Sequence, residues 1–286
     1  MKKTLVLIVL LSAALLAEAQ IRTPQPSPAG TVTTVVGLTD ISIDYSRPRA
    51  RGRKIFGEGK DFVVPYGAIW RTGANNGTVI TFSDTVKVEG VTVPAGKYLV
   101  LTWPGATEWT VSLYKDVAMG GNTNEYDKAK DAANFKVKAE KVGEKVETLT
   151  FNIGDISDDS KSAKVQLTWE NTSVKFTVTA DFDSKVMKAI EANTKVNPGN
   201  LMAAARYYYD TGRDLKQALK WVDEYLAVGK NSEQFWNIHF KAQLLKKAGD
   251  KAGALAAANK SLEMAKKAEN DFGYIKQNED LIKTLK

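Results

Sequence analysis

The spacing of apolar residues changes abruptly near Asp183, and this change constrains the fold more than any other feature of the chain. Between residues 31 and 181, short runs rich in Val, Thr, Ile, Tyr, Phe and Trp alternate with polar residues and are separated by Gly, Pro, Asn and Asp. After Asp183 the period is close to four, and Ala, Leu, Lys and Glu replace Val and Thr. The sequence therefore predicts a β-rich domain over residues 31–182 and a helical domain over residues 183–286.

The β-rich half contains no long helical pattern. Parallel strands need long crossover connections that are usually helical, so the predicted strands favour an antiparallel β-sandwich or a jelly-roll-like domain. The clearest strands are residues 164–170 and 174–180, in which apolar and polar side chains alternate. The polar residues 171–173 between them predict a hairpin turn. Residues 120–134 are polar throughout and predict a long loop or a short surface helix.

The helical half divides into short helical runs. They cover residues 201–210, 215–228, 234–248, 251–268 and 271–285. Gly212 and Gly249 lie 37 residues apart, and each separates two of these runs. This spacing resembles tetratricopeptide-like repeats, in which helical hairpins stack because one hairpin alone cannot bury its apolar face. We therefore expect a short array of tetratricopeptide-like helical hairpins.

The N-terminus has the pattern of an export signal. Two lysines precede an apolar run over residues 5–16, which ends in Ala17-Glu18-Ala19. This pattern predicts a cleavable signal peptide over residues 1–19, followed by a linker over residues 20–30. A membrane anchor is the alternative, but the run is shorter than the roughly 20 apolar residues of a spanning helix. We expect an exported protein, periplasmic or secreted, without a membrane span after signal removal.

Composition excludes several kinds of chemistry. The chain has no cysteine, which rules out a disulfide framework, a lipid attached at the end of the signal and thiolate catalysis. Its formal net charge is +7, but positive and negative residues are interleaved along most of the chain. That pattern is typical of a solvated surface, so we expect no nucleic-acid partner.

The most distinctive residues lie between positions 45 and 76. They form the blocks Tyr45-Ser46-Arg47-Pro48, Gly52-Arg53-Lys54-Ile55-Phe56-Gly57, Val64-Pro65-Tyr66-Gly67 and Trp70-Arg71-Thr72-Gly73-Ala74-Asn75. These blocks resemble the Y-S-R-P, G-R-x-I-F-G, P-Y-G and W-R-T-G-A-N pattern of the bacterial DUF2911 family. The resemblance covers roughly residues 27–180. It implies an exported protein, while the activity of the family is unknown.

This segment also supplies the predicted binding site. The seven candidate ligand-binding residues are Tyr45, Arg47, Arg53, Tyr66, Trp70, Arg71 and Asn75. Arginine presents a planar fork to carboxylate, sulfate or phosphate, and aromatic faces stack against sugars, so we expect a small anionic or glycan ligand. The alternative is structural. In it, Arg47 and Arg71 pair with carboxylates such as Asp44 or Asp61, while Trp70 and Tyr66 plug the end of the sandwich.

Signals for catalysis or for a metal are weak. His239 is the only histidine, and it lies in a helical run where a packed or half-exposed residue is the ordinary expectation. With one histidine and no cysteine, the sequence predicts no metal site and no cofactor. The acidic residues 155–160 lack the glycine and the distal glutamate of a calcium loop, so a solvated hairpin loop is expected.

Three functions stay open on the sequence. The leading one is a non-enzymatic envelope protein, in which the β domain binds a ligand and the helical array docks a protein partner. The alternative is a hydrolase acting on envelope glycans or peptides through Arg71, Tyr45 and an acid such as Asp44. A purely structural scaffold is the third, and it predicts that the arginine and aromatic residues are internally paired and leave no cavity.

Overall fold

A computed structural model describes residues 23–194 and 197–286 of the chain. The predicted signal peptide, residues 1–19, lies outside the described residues. The chain divides into two compact units, of which the first ends at Phe182 and the second begins at Asp183.

The first unit is a β domain. Its strands are β1 (Ala29–Val36), β2 (Thr39–Ser46), β3 (Phe56–Gly57), β4 (Val64–Pro65), β5 (Thr78–Phe82), β6 (Val86–Val88), β7 (Val91–Val93), β8 (Gly96–Trp103), β9 (Glu108–Tyr114), β10 (Asp131–Gly154) and β11 (Ser162–Ala180). Nine of them form one antiparallel sheet in the order β1-β2-β5-β8-β9-β10-β11-β6-β7, and β3 and β4 form a separate parallel pair. The predicted antiparallel, strand-rich domain is confirmed at this level.

Side-chain alternation explains why these segments are strands. In β2, Ile41, Ile43 and Tyr45 are buried, whereas Asp40 before Ile41 and Asp44 before Tyr45 are exposed. The same alternation recurs in β5 and in both halves of β11. One face of each of these strands therefore contributes to a single apolar core, which removes that face from water.

The predicted hairpin turn at residues 171–173 is wrong. β11 continues through these residues and pairs with β10 on both sides of them. The buried apolar residues fall at odd positions up to Trp169 and at even positions from Val174 onward. Glu170 has a φ of 53°, and the pairing register shifts beside it. A β-bulge inserts one extra residue into a strand, so it changes the parity of the pattern in a way that resembles a turn in the sequence.

An aromatic cluster lies in the middle of the β core. The indoles of Trp70 and Trp169 are stacked, with centroids 5.9 Å apart and planes 18° apart. Trp109 of β9 contacts Trp70 edge-on at 6.2 Å, and Phe56 of β3 contacts Trp109 edge-on at 4.9 Å. Stacked and edge-on contacts of this kind add about 0.5–1.5 kcal/mol per pair to the burial of the rings. The cluster thus joins β3, β9, β11 and the segment that precedes β5.

The second unit contains paired helices. Within its described residues they are α1 (Asp183–Asn193), α2 (Gly199–Thr211), α3 (Leu215–Leu226), α4 (Phe235–Lys247), α5 (Lys251–Lys267) and α6 (Tyr274–Lys283). α2 packs chiefly on α3, and α5 packs on both α4 and α6. The five predicted helical runs correspond to α2–α6, whereas no separate run was predicted for α1. Among the described residues, no helix is both long enough and apolar enough to cross a membrane.

Gly212 and Gly249, which the sequence predicted to separate helices, lie at the C-terminal ends of helices in the structure. Gly212 has a φ of 69°, and its N–H donates to the last carbonyls of α2. Gly249 follows α4 with a φ of 87°. An aspartate comes soon after each glycine, and both Asp214 and Asp250 accept hydrogen bonds from N–H groups in the first turn of the next helix. Glycine at the end of one helix and aspartate at the start of the next therefore define both turns.

His239 is packed inside the helical unit, as predicted. Its side chain is buried in α4, and its Nδ1 lies 2.7 Å from Oδ1 of Asn278. The Nδ2 of Asn278 donates to the hydroxyl of Ser261 at 2.9 Å. His239 is thus one member of a buried polar network that links α4, α5 and α6.

Leu113 in β9 tests the position of the β core. Its side chain is fully buried, so Leu113→Ala is expected to lower the free energy of unfolding by about 2–5 kcal/mol. Leu38 is 53% exposed in the turn after β1, and Leu38→Ala is expected to change the free energy of unfolding by less than about 0.5 kcal/mol. Urea unfolding followed by circular dichroism measures both variants. Equal losses in the two variants would contradict the assignment of this core.

Candidate functional site

The segment between β2 and β5 crosses the sheet and is held by backbone hydrogen bonds. Pro48 accepts a hydrogen bond from the N–H of Leu149 in β10, and Ala50 donates to Glu147 in the same strand. Farther along, Trp70 forms an isolated antiparallel bridge with Thr102 of β8. This segment, which carries six of the seven predicted site residues, is therefore held by β10 near its start and by β8 farther along; the seventh, Tyr45, lies in β2.

Three of the seven predicted residues make contacts that hold this part of the chain in place. The hydroxyl of Tyr45 accepts a hydrogen bond from the N–H of Phe151 at 3.2 Å, and the ring of Tyr45 is buried. Arg47 donates to the carbonyl of Leu149 in β10 at 3.5 Å. The exposed Asn75 donates to Ser46 Oγ at 3.0 Å. Their contacts are those expected of structural residues.

Tyr66 and Trp70 belong mainly to the core. Tyr66 is half-buried against the apolar cluster of the β unit. Trp70 is 9% exposed, and its indole N–H donates to the carbonyl of Gly73 at 3.2 Å. The core role that the sequence left open for these two aromatic residues is therefore observed, although Trp70 also forms part of a cleft wall.

A cleft of about 350 Å³ lies beside the stacked indoles. The polar and aromatic side chains in its wall include those of Ser27, Arg53, Trp70, Arg71, Thr123 and Trp169. Among the described residues, the wall contains two arginines and no aspartate or glutamate. The cleft therefore has a positive charge that its own side chains do not balance, which favours an anion.

Arg53 is oriented by the backbone. Its Nε donates to the carbonyl of Ala50 at 3.1 Å, and its Nη2 donates to the carbonyl of Arg49 at 2.7 Å. A guanidinium has five N–H donors, so three of those of Arg53 are left for other partners. The two backbone contacts fix the direction of the group without neutralising its charge.

The guanidinium of Arg71 has no counter-ion in the described part of the chain. Among residues 23–194 and 197–286, no hydrogen bond or ion pair involves its guanidinium, and its Nε is buried without a partner. The predicted pairing with Asp44 or Asp61 is therefore not observed, and Asp44 instead accepts a hydrogen bond from Thr31 at 2.6 Å. An unpaired buried N–H of this kind costs about 1–3 kcal/mol, so the structure holds Arg71 at a cost to stability.

The backbone next to Arg71 is strained. Thr72 is fully buried and has a φ of 55°, a region that a β-branched residue rarely adopts. Its hydroxyl lies 3.0 Å from that of Thr102 and 3.2 Å from the carbonyl of Trp70, and its own carbonyl accepts a hydrogen bond from Thr78. Such a conformation costs about 1–3 kcal/mol and persists only where surrounding contacts enforce it. Thr72 and Trp70 thereby fix the backbone on both sides of Arg71.

Residues 117–126, which we call the strap, cover the side chain of Arg71. Met119 anchors the strap by burial against the β8 and β9 side chains. A Cβ added at Gly121 would lie 2.4 Å from the carbonyl oxygen of Asn75 and 3.1 Å from Cδ of Arg71. Only glycine permits this approach, which explains how the Nε of Arg71 becomes buried. Thr123 of the strap then lines the cleft.

A partly buried polar contact holds the C-terminal end of the strap. Tyr126 donates its hydroxyl to Oδ2 of Asp131 at 2.9 Å, and Ser112 donates to Oδ1 at 2.5 Å. Burial, followed by the hydrogen bond to the Asp131 carboxylate, raises the pKa of Tyr126 well above its usual range. A phenol is protonated at physiological pH even without this shift, so the shift extends the pH range over which Tyr126 donates to Asp131.

The sequence did not assign the strap to the site. The polar stretch at residues 120–134 predicted a loop or a short helix, and the structure has short 3₁₀ turns at Thr123–Glu125 and Lys128–Lys130 before β10 begins. The one available signal was the pair Gly120-Gly121, which marks a close backbone approach without identifying the residue approached.

The fold and the cleft together define a class of protein: an antiparallel β domain with an arginine-bearing cleft, followed in the chain by paired helices. A family match then covers residues 27–178, more than half of the chain, with the description "Protein of unknown function (DUF2911)". The chain belongs to the DUF2911 family, as its motifs indicated. All cleft residues lie in the matched range, and α1–α6 lie outside it. No curated protein and no solved structure matches the chain.

Gly121 provides a test of the strap. Gly121→Ala places a methyl group against the Asn75 carbonyl, so the variant is expected to lose about 1–3 kcal/mol of stability. Gly143→Ala in β10 is the matched control, because no described atom lies within 4 Å of a Cβ at that position. Urea unfolding of the two variants measures the difference. A Gly121→Ala variant as stable as the control would show that the strap does not contact Arg71 closely.

Proposed function

We propose that the DUF2911 domain binds a small anionic or glycan ligand in the cleft beside Arg71 and that the protein is not an enzyme. One observation carries this proposal: two arginines line a cleft to whose wall the described residues contribute no carboxylate. A cation without a counter-ion is stabilised by a bound anion, and the stabilisation is larger where water is partly excluded.

The buried part of Arg71 supports the proposal further. Its Nε is inaccessible beneath the strap, so the two Nη groups are the part of the guanidinium that is left for the cleft. The strained Thr72 and the close approach of Gly121 fix this arrangement before any ligand binds. Strain and unpaired polar groups that are retained at one place are common at binding sites, where they preorganise the contacts.

The other two functions receive less support. The hydrolase alternative needs Tyr45 and Asp44 beside Arg71, but the Tyr45 hydroxyl already accepts a backbone hydrogen bond, and neither residue lines the cleft. The scaffold alternative requires an internally paired cluster without a cavity. Tyr45, Arg47 and Asn75 fit that requirement, whereas Arg71 and the cleft do not. A binding domain accounts for both groups of residues.

We also propose a finer architecture for each unit. In the first, the contact between Tyr45 of β2 and Phe151 of β10, which are not neighbouring strands of the sheet, supports an antiparallel sandwich or jelly-roll-like closure. In the second, the repeated glycine and aspartate turns support stacked hairpins of the tetratricopeptide-like kind.

The helical unit is proposed to dock a protein partner. A groove of about 660 Å³ lies between α3, α4 and α5. Its floor is apolar, with Leu219 and Ile238 among the lining residues, and its rim carries the Asp223 and Lys241 ion pair at 2.6 Å. An apolar floor with a charged rim suits a peptide segment that carries apolar side chains. The predicted signal peptide adds the proposal that both binding events occur after export, in the periplasm or outside the cell.

Thermal unfolding in the presence of acetate, sulfate, phosphate and neutral sugars tests the cleft, with ionic strength held constant. A ligand at one hundred times its Kd is expected to stabilise the wild-type protein by about 2.7 kcal/mol. Arg71→Ala is expected to lose that stabilisation. Arg49→Ala is the matched control, because it removes the same charge from an exposed residue outside the cleft wall, and it is expected to behave as wild type. Equal stabilisation of both variants, or none of the wild type, would contradict the proposal.

A further inference from the structure

We infer that the ligand of the cleft is a carboxylated sugar of the uronate class. This inference rests on the proposed function, because it identifies the chemistry of the ligand at the same site. Three features of the cleft support it: the arginine N–H donors, the hydroxyl groups and the size.

The donors favour a carboxylate. Because the Nε of Arg71 is buried, only its two Nη groups are left for a ligand, and the parallel N–H bonds of such a pair match the two oxygens of a planar carboxylate. Arg53 adds a second positive charge from a direction that two backbone carbonyls fix. Because no acidic side chain of residues 23–194 or 197–286 lines the wall, a ligand carboxylate meets no like charge from them.

The hydroxyl groups favour a sugar over a simple organic acid. Ser27 and Thr123 both line the cleft, and neither side-chain hydroxyl has a hydrogen-bond partner in the described part of the chain. A hydroxyl can donate one hydrogen bond and accept others, which is what the hydroxyl groups of a sugar require. Ser27 precedes β1 and Thr123 belongs to the strap, so the two groups come from separate parts of the chain.

The size and the apolar part of the wall agree with this class. A cleft of about 350 Å³ lies near the lower end of the range for small-molecule sites and is far larger than an inorganic anion needs. Val63, which is 41% exposed, and Ile69 lie in the same wall. They offer an apolar surface to the C–H face of a sugar ring, while the arginines and hydroxyls contact its polar edge.

Isothermal titration calorimetry of the full chain with D-glucuronate, D-glucose, D-glucose 6-phosphate and acetate tests the inference. D-Glucuronate is expected to bind at least about tenfold more tightly than each of the other three compounds, because it alone combines a carboxylate with sugar hydroxyls. Arg71→Lys keeps the charge but loses the fork, and it is expected to weaken glucuronate binding about tenfold or more. Thr123→Val keeps the shape but loses the hydroxyl, and it is expected to weaken glucuronate binding while leaving acetate binding unchanged.

The outcomes separate this inference from the proposed function. Preferential binding of glucose 6-phosphate, or equal binding of acetate and glucuronate, would overturn the uronate inference and leave an anion site at Arg71. If none of the four compounds binds, both the uronate inference and the proposed function are contradicted. Unchanged glucuronate affinity in both variants, with thermal unfolding like that of wild type, would place the sugar elsewhere and overturn the inference.

Discussion

The stacked indoles of Trp70 and Trp169 are the contact on which the β unit depends. Trp169 comes from β11, whereas Trp70 comes from the segment before β5, and Phe56 and Trp109 close the cluster edge-on. Because these four rings are distant in sequence, the core is complete only when the segment after β2 crosses the sheet and delivers Phe56 and Trp70 to it. The cleft lies beside the stacked pair, since both indoles form part of its wall.

The position of Arg71 follows from this constraint. Its neighbours Trp70 and Thr72 are both buried, and the bridge between Trp70 and Thr102 ties the loop to β8. The core therefore fixes Arg71, and no carboxylate is needed to hold it. Gly121 then allows the strap to close over the side chain, which buries the Nε and leaves the Nη groups for the cleft. A cation fixed in this way is preorganised for an anion, so little ordering is required when one binds.

The sequence predicted local structure well and long-range placement less well. The change of period at Asp183 indicated a strand-rich segment and then a helical one, and Gly212 and Gly249 end helices as their spacing suggested. The turn predicted at residues 171–173 was wrong because a bulge and a turn both interrupt the alternation of apolar and polar residues. Within the predicted site, residue type indicated an anion, but it did not separate Arg71 from Arg47. That difference depends on β10 and the strap, which lie far along the chain.

The most direct test of the central claim is an NMR titration of the arginine Nε–H resonances with D-glucuronate. The Arg71 resonance is assigned through its loss in Arg71→Lys. The resonances of Arg71 and Arg53 are expected to shift with the same saturating dependence on the D-glucuronate concentration. Two arginines of the helical unit are internal controls: Arg206, which lies over the ring of Phe240, and Arg213, which pairs with Asp183. Their Nε–H resonances are expected not to shift. Unshifted Arg71 and Arg53 resonances at saturating glucuronate would contradict the account.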